Sequence, residues 1–277
     1  MDNIIQKLLP FEWTQFEFMR NALLGILIIC PLFSILSTAI VLNRLAFFSD
    51  ALGHSALAGI GIGVILGLGG TTPVMLIFAA AFALLLNIIK QKSEASADTV
   101  IGVCSSFGIA LGIILLSYKG NFSHYQNLLI GDILSIKTSE LWLLLAMLFI
   151  VLMFWLFGFN KLNAVSINAS LARSKGIPVI LLDNLFVVIV AVIVMVSIRW
   201  VGMLIINAML ILPAASARFI SSNMRQYHLY ALIFSVFSGL CGLITSYYVN
   251  TAPGATMVII SCVIFFACAL FGKRIRT

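Results

Sequence analysis

Long apolar runs, separated by short polar breaks, occupy almost the whole of this 277-residue sequence. A helix that crosses a bilayer needs roughly 20 predominantly apolar residues. Runs that approach or reach this length lie at about 20–42, 47–68, 72–90, 98–118, 140–160, 180–197, 200–213, 228–248 and 255–272. The sixth and seventh are short and meet at Arg199-Trp200. The pattern therefore predicts about nine transmembrane helices, or eight plus a re-entrant element.

Composition places the chain among membrane proteins. It is 62% hydrophobic and 9% charged, with a mean hydropathy of +1.17, whereas soluble domains carry about 25% charged residues. We therefore expect an all-α polytopic membrane protein with one membrane domain over 20–277. Residues 1–19, with Trp13 among several apolar side chains, predict an interfacial segment at the membrane surface. The five cysteines lie in apolar runs without a CxxC pair, which indicates helix packing.

Cationic residues are distributed unevenly between the two sides of the predicted spans. With nine spans and a cytoplasmic C-terminus, eleven of the 16 lysines and arginines fall on the cytoplasmic side. These are Arg44, Lys90, Lys92, Lys161, Arg173, Lys175, Arg218, Arg225, Lys273, Arg274 and Arg276. Cytoplasmic loops carry an excess of Lys and Arg, so the bias predicts that the N-terminus lies outside and the C-terminus inside. The net charge of +7 then indicates contact with anionic lipid and not with nucleic acid.

The longest predicted outer loop covers residues 120–138. Its segment 128–134 is apolar enough to dip into the membrane as a short helix. Asp132 lies in this segment, and we regard it as a candidate for lining the entry to a transport pathway.

Asp50 and His54 are two ionisable residues within the second apolar run. In a helix their spacing places both on one face, about 6 Å apart along the axis. Such residues are costly in a bilayer and mark candidate functional sites. One interpretation is a polar pair that satisfies itself inside the bundle. The other is a divalent metal site, with Ser49 and Ser55 as supporting candidates, because imidazole nitrogen and carboxylate oxygen together suit zinc, manganese and iron.

Two ligands from one chain cannot fill a coordination shell of four or more. A second chain related by a two-fold axis would supply the same pair again. Arg44 lies close before Asp50 in the sequence, which predicts that the pair lies nearer the cytoplasmic third of the membrane than its middle.

The apolar run from Gly202 ends at Pro213 on the predicted cytoplasmic side. We expect the helix to stop at this proline and a short helix of small residues to follow, ending with Arg218. That segment is either a plain loop with a cytoplasmic arginine or an exposed docking helix for a cytoplasmic partner. The candidate docking residues are Pro213, Ala214, Ala215, Ser216, Ala217 and Arg218. No GxxxxGK[ST] motif occurs, so the chain does not itself bind ATP through a Walker A loop.

Four stretches, at 44–57, 98–102, 171–178 and 201–218, carry a resemblance to a known family. The chain resembles the membrane permease subunit of bacterial ABC importers for zinc, manganese or iron, essentially from end to end. The resemblance implies a fold similar to the vitamin B12 and siderophore permeases. It also implies a homodimer with two cytoplasmic ATPase subunits and an extracytoplasmic metal-binding protein. By the same resemblance, Asp50 and His54 are metal ligands, and about Ala214–Ser222 couples to the ATPase.

The expected function is that of a permease subunit in an ATP-driven importer of zinc or manganese, with iron as a third candidate. The chain would hydrolyse nothing and hold no permanent cofactor, since the metal is its cargo. Two alternatives stay open. One is a permease for a metal chelate such as haem or a siderophore. The other is an intramembrane enzyme that uses Asp50 and His54 around a fixed metal. One aspartate and one histidine suit all three metals, so the sequence does not choose between them.

Overall fold

The computed structural model describes residues 12–67, 71–118 and 131–275, and the regular structure in them is helical. The α-helices are α1 (Glu17–Leu42), α2 (Phe48–Ile65), α3 (Thr71–Lys92), α4 (Ala97–Tyr118), α5 (Thr138–Ile167), α6 (Ala169–Ser174), α7 (Val179–Val201), α8 (Met203–Ile220), α9 (Met224–Val249) and α10 (Pro253–Ile275). Short 3-10 helices lie at Glu12–Gln15 and Ile133–Ser135.

Within the described residues, eight helices are long and apolar enough to cross a membrane. They are α1, α2, α3, α4, α5, α7, α9 and α10. The apolar part of α8, Ile205–Ile220, is shorter. The prediction of an all-α polytopic fold is confirmed. The sequence pattern allowed nine full spans or eight spans plus a further element. Among the described residues, the structure matches the second count better, with eight spans and one shorter apolar helix.

The helices group into two compact units within the stretch predicted as one permease domain. Of the described residues, the first unit takes in 12–38, 131–153 and 208–275. The second unit takes in 39–67, 71–118 and 154–207.

In the first unit, α9 packs closely against α10. Gly242 of α9 leaves room for the backbone of Met257, and the Thr256 hydroxyl donates to the Gly242 carbonyl at 2.9 Å. The Ser235 hydroxyl of α9 donates to the Cys30 carbonyl of α1 at 2.9 Å. Small residues thus allow these helices to approach closely, as they do at helix interfaces in membranes.

Helix α8 continues through Pro213, so the predicted stop at this residue is wrong, and so is a separate helix over 214–222. Proline lacks an N–H, and its ring crowds the preceding turn of a helix. In the first unit the Ala214 N–H donates to the buried Ser37 hydroxyl of α1 at 3.3 Å. This bond from a neighbouring helix satisfies the backbone beside the proline, and α8 ends only at Ile220.

The predicted break between the sixth and seventh apolar runs is also misplaced. Arg199 and Trp200 both lie inside α7, which continues to Val201. The chain turns instead at Gly202, whose φ of +79° and ψ of +156° suit glycine and exclude most other residues. The hydropathy pattern therefore predicted a break at the charged Arg199, whereas the backbone conformation of Gly202 determines where α7 ends.

The predicted outer-loop helix at 128–134 lies partly outside the described residues. Its described part forms the 3-10 helix Ile133–Ser135, and the exposed Asp132 carboxylate accepts the Leu134 N–H at 3.0 Å. At the N-terminus, residues 1–11 of the predicted interfacial segment lie outside the description. Trp13 is buried, and α1 begins at Glu17, before the predicted boundary at residue 20.

In the second unit, α2 packs against α3, α4 and α7. Two glycines of α4 allow the closest approach. A Cβ atom at Gly108 would lie 3.1 Å from the Cα of Ser55, and one at Gly112 would lie 2.8 Å from the backbone nitrogen of Ala58. The backbones of α2 and α4 are therefore nearly in contact. This packing buries most of α2 and sets which of its side chains remain accessible.

Candidate functional site

The site begins at the N-terminus of α2 in the second unit. A turn over residues 43–47, with Arg44 at a φ of +55°, separates this helix from α1. Asp50 lies in the first turn of α2. Acidic side chains are favoured in the first turn of a helix because the positive end of the helix dipole lies there. Asp50 thus occupies a position that suits an acidic residue in an otherwise apolar helix.

His54 follows one turn later, and the pair forms as the spacing predicts. The Nε2 atom of His54 lies 3.5 Å from Oδ1 of Asp50. The His54 side chain is 26% exposed and that of Asp50 40% exposed. From Phe48 to Gly61, all residues of α2 except Asp50 and His54 are buried within the chain. The helix is therefore accessible over these turns only where it carries the carboxylate and the imidazole.

A third polar side chain, Asn207, joins this pair, and its role was not predicted from the sequence. Its Nδ2–H group donates to Oδ1 of Asp50 at 2.6 Å. Its own Oδ1 is buried and has no hydrogen-bond partner among the described residues. An unpaired buried acceptor typically costs about 1–3 kcal/mol. The one available signal in the sequence was an amide within the apolar run that begins at Gly202.

Close packing holds the start of α8 against α2, within the second unit. A Cβ atom at Gly53 would lie 2.6 Å from Cγ of Met203. Gly53 lies between the two ionisable residues in sequence, so the first turn of α8 packs directly beside them. Asn207 is one turn further along the same helix. The lack of a side chain at Gly53 therefore allows the approach that brings Asn207 to Asp50.

Ser49 and Ser55 are buried, and their hydroxyl groups bond to nearby backbone. Ser49 donates to the Ala46 carbonyl at 3.4 Å and Ser55 to the Leu52 carbonyl at 2.8 Å. Their predicted part in supporting the metal pair stays a prediction, and these contacts lend it no support. Asp132 belongs to the first unit, where it caps the 3-10 helix described above.

One chain supplies only part of a metal shell. Over residues 12–67, 71–118 and 131–275, no group of three or more His, Cys, Asp or Glu side chains could hold a metal ion. Asp50 and His54 are thus two side chains of these types without a third among the described residues. A transition metal held by this chain alone would need its remaining ligands from Asn207, from water or from another molecule.

The predicted docking segment is mostly packed inside the chain. Pro213, Ala214, Ser216 and Ala217 are buried, Ala215 is half-buried, and only Arg218 is exposed. The residues that follow the predicted docking segment are more exposed, and we name the surface that they form with Arg218 the α8–α9 turn. Its exposed residues are Arg218, Phe219, Ser222, Asn223, Met224 and Arg225.

Two reciprocal bonds fix the backbone of the α8–α9 turn. The Ser222 N–H donates to Oε1 of Gln226 at 3.0 Å, and the Gln226 N–H donates to Oδ1 of Asn223 at 2.9 Å. This arrangement is similar to a capping box and satisfies free donors at the start of α9. The turn is therefore an exposed surface with a defined backbone.

Among the described residues, eight helices are long and apolar enough to cross a membrane, and one of them carries a carboxylate–imidazole pair, which together define a polytopic membrane protein with a polar side-chain cluster. The model of the ABC 3 transport family matches residues 15–272. This match covers most of the sequence, and the chain belongs to that family.

Two relatives extend over nearly the whole chain. The manganese transport system membrane protein MntC of Listeria monocytogenes is 28% identical over 264 residues, which cover 94% of this chain and 92% of that protein. The high-affinity zinc uptake system membrane protein ZnuB of Haemophilus influenzae is 28% identical over 251 residues, covering 90% and 96%. The resemblance to permeases of metal ABC importers is confirmed.

Two solved structures share the fold. PsaBC from Streptococcus pneumoniae, in complex with Fab, matches with a TM-score of 0.80 and 25% identity over 96% of this chain and 94% of that chain. A metal-chelate type ABC transporter in an inward-facing conformation matches with a TM-score of 0.71 over 90% and 85%. At 13% identity the second match shows a common fold alone. The predicted fold class of an ABC permease is confirmed.

Proposed function

We propose that this chain is the permease subunit of an ATP-driven importer that moves a divalent transition-metal ion, manganese or zinc, across the bacterial cytoplasmic membrane. The observation that carries the proposal is the exposure pattern of α2. Over its first turns, only Asp50 and His54 are not buried by the chain's own packing. Ionisable side chains at membrane depth mark substrate pathways, and this pair has the donor atoms that such ions bind.

Symmetry would complete the site. We propose that two copies of the chain meet on a two-fold axis, so that each supplies one carboxylate and one imidazole to a shared ion. The accessibility of both side chains and the lack of a third acidic or histidine ligand among the described residues support this arrangement. A site made of two halves can assemble and come apart, as a carrier that must also release its ion requires.

The names of the relatives support two metals as the first candidates for the cargo. One relative belongs to a manganese system and another to a zinc system, and we carry both metals to this chain as candidates, with iron third. Carboxylate oxygen suits manganese, and imidazole suits zinc as well as iron. The metal is cargo in this account, so the chain itself needs no permanent ion.

The ATPase would dock on the α8–α9 turn. This turn presents Arg218 and Arg225 on a backbone fixed by reciprocal bonds at the start of α9. We infer from the excess of positive residues that this turn lies on the cytoplasmic side, with the N-terminus outside and the C-terminus inside, an orientation in which the shorter α8 also crosses the membrane. Two ATPase subunits would then act on α8, whose other end carries Asn207 beside Asp50. An extracytoplasmic metal-binding protein would deliver the ion from outside.

Uptake in cells tests the proposal. Asp50→Ala and His54→Ala should each lower Mn²⁺ or Zn²⁺ uptake on the order of tenfold or more, in a strain that lacks its own importers and expresses the complete system. Glu94→Ala, which removes an exposed carboxylate from the same unit, should leave uptake unchanged. Membrane levels and ATPase assembly of each variant are measured alongside.

Three results would contradict the proposal. Normal metal uptake by a well-assembled Asp50→Ala,His54→Ala double variant would show that transport does not need these two side chains. Uptake of haem or a siderophore complex that does not depend on the pair would favour the chelate permease. Stoichiometric metal bound to the chain alone, without uptake, would favour the intramembrane enzyme.

A further inference from the structure

The bond between Asn207 and Asp50 is not required to satisfy the carboxylate. The Asp50 side chain is 40% exposed and lies in the first turn of α2, where the helix dipole already stabilises its charge. The amide, in contrast, is placed where its Oδ1 is buried without a partner among the described residues. Burying an unpaired acceptor is unfavourable. An apolar side chain at position 207 would avoid that cost, so folding alone does not account for an amide here.

The two ends of the amide can exchange places without movement of the backbone. Nδ2 and Oδ1 of Asn207 are carried by the same carbon, and the terminal torsion of asparagine is broad and roughly two-fold. In the structure Nδ2–H faces the Asp50 carboxylate at 2.6 Å. A half turn about this bond brings Oδ1 to the position beside the carboxylate. A cation bound to Asp50 would favour that orientation, because it repels the N–H donors and attracts the carbonyl oxygen.

We propose that Asn207 is a third ligand of the transported ion and favours manganese over zinc. The inference rests on the proposed function, since it assumes that Asp50 and His54 hold the ion in passing. With the site empty, Nδ2–H holds the Asp50 carboxylate. With an ion present, Oδ1 becomes a neutral oxygen ligand next to the carboxylate oxygen and the imidazole nitrogen.

The number and type of ligands determine the expected selectivity. Two symmetry-related chains would then offer six protein ligands, of which four are oxygens. Oxygen-rich six-coordinate sites suit manganese, whereas zinc sites in proteins are mostly four-coordinate with nitrogen and sulfur ligands. Loss of Asn207 would leave four ligands, two oxygens and two nitrogens, which is sufficient for zinc. Removal of the amide should therefore weaken manganese binding more than zinc binding.

The test is equilibrium binding of Mn²⁺ and of Zn²⁺ to the purified permease–ATPase complex in nanodiscs, without the extracytoplasmic protein. Asn207→Leu should weaken Mn²⁺ binding about tenfold or more, the range seen when groups that support a metal site are lost. The same substitution should change the affinity for Zn²⁺ by less than about threefold. Asn207→Asp keeps an oxygen and loses the N–H donors, and it should bind Mn²⁺ within about threefold of the unaltered complex.

Asn87→Leu is the matched control. Asn87 is a buried amide of the same unit, and its Nδ2–H donates to Oδ1 of Asn184 at 2.7 Å. Its removal should leave both affinities unchanged, although it also removes a buried amide. The thermal unfolding midpoint of each complex shows which variants remain folded.

Each other outcome has a distinct meaning. Unchanged Mn²⁺ affinity in Asn207→Leu overturns the inference, and so does an equal loss for both metals, which a purely structural role would produce. If Asn207→Asp binds Mn²⁺ as weakly as Asn207→Leu, the oxygen is not a ligand. Asp50→Ala separates this inference from the proposed function. If Asp50→Ala binds both metals normally, the proposed site itself is wrong. If it loses binding while Asn207→Leu does not, only the role of Asn207 fails.

Discussion

The contact between α2 and α4 makes a quantitative prediction for Gly112→Ala. The added Cβ would lie 2.7 Å from Cβ of Leu57 and 2.8 Å from the backbone nitrogen of Ala58. Ordinary contacts of this kind are about 3.5–4.0 Å, so the two helices must separate. Overpacking of this kind costs up to about 3 kcal/mol, and alanine returns about 1 kcal/mol of helix propensity. We therefore expect a net loss of up to about 2 kcal/mol in the free energy of unfolding.

Gly102→Ala, on the same helix, is the matched control. A Cβ atom at Gly102 would have no neighbour within 4 Å. This substitution should be neutral or stabilise the protein by up to about 1 kcal/mol. Unfolding of the purified permease by SDS titration in mixed micelles gives both free energies. Equal stability of the two variants would refute the argument that backbone contact with α2 requires glycine at position 112.

Two further predictions concern α8 and the turn that follows it. Ser37→Ala removes the acceptor that Ala214 N–H uses beside Pro213, and it should lower the free energy of unfolding by about 1 kcal/mol. The same SDS titration measures this, and a value within error of the unaltered protein would show that the bond is not needed. Arg225→Glu should weaken copurification of the ATPase subunits, whereas Arg199→Glu, an exposed residue predicted on the opposite side of the membrane, should not. Equal loss in both would contradict the assignment of the α8–α9 turn as the docking surface.

The proximity of Asp50 and His54 could be predicted from the sequence because it is local. The side chains at positions 50 and 54 belong to one helix, and a spacing of four residues puts them on one face in any α-helix. Asn207 could not be placed in the same way. It lies 157 residues from Asp50 in the sequence, and hydrophobic periodicity does not determine which helices become neighbours. Its contact depends on the close approach of Met203 to Gly53.

The course of α8 could not be predicted for a related reason. Proline at position 213 is a helix breaker by local propensity, and the small residues after it are compatible with a separate element. In the structure α8 continues through this proline, and the next N–H, that of Ala214, donates to the Ser37 hydroxyl on a helix far away in the sequence. The same small residues are buried by packing. The surface available to a partner therefore lies further along the chain, from Arg218 to Arg225.

The corrected course of α8 gives a physical connection between the two functional regions. A single helix runs from Met203, beside Gly53, to Ile220, at the start of the α8–α9 turn.

The central claim is that Asp50 and His54 form half of a site that two chains complete. The most direct test is the stoichiometry of Mn²⁺ bound to the purified permease–ATPase complex, measured by equilibrium dialysis. The account predicts about one high-affinity ion for every two permease chains, and loss of this ion in Asp50→Ala and in His54→Ala. One ion per chain, or an ion that remains when both residues are replaced, would contradict it.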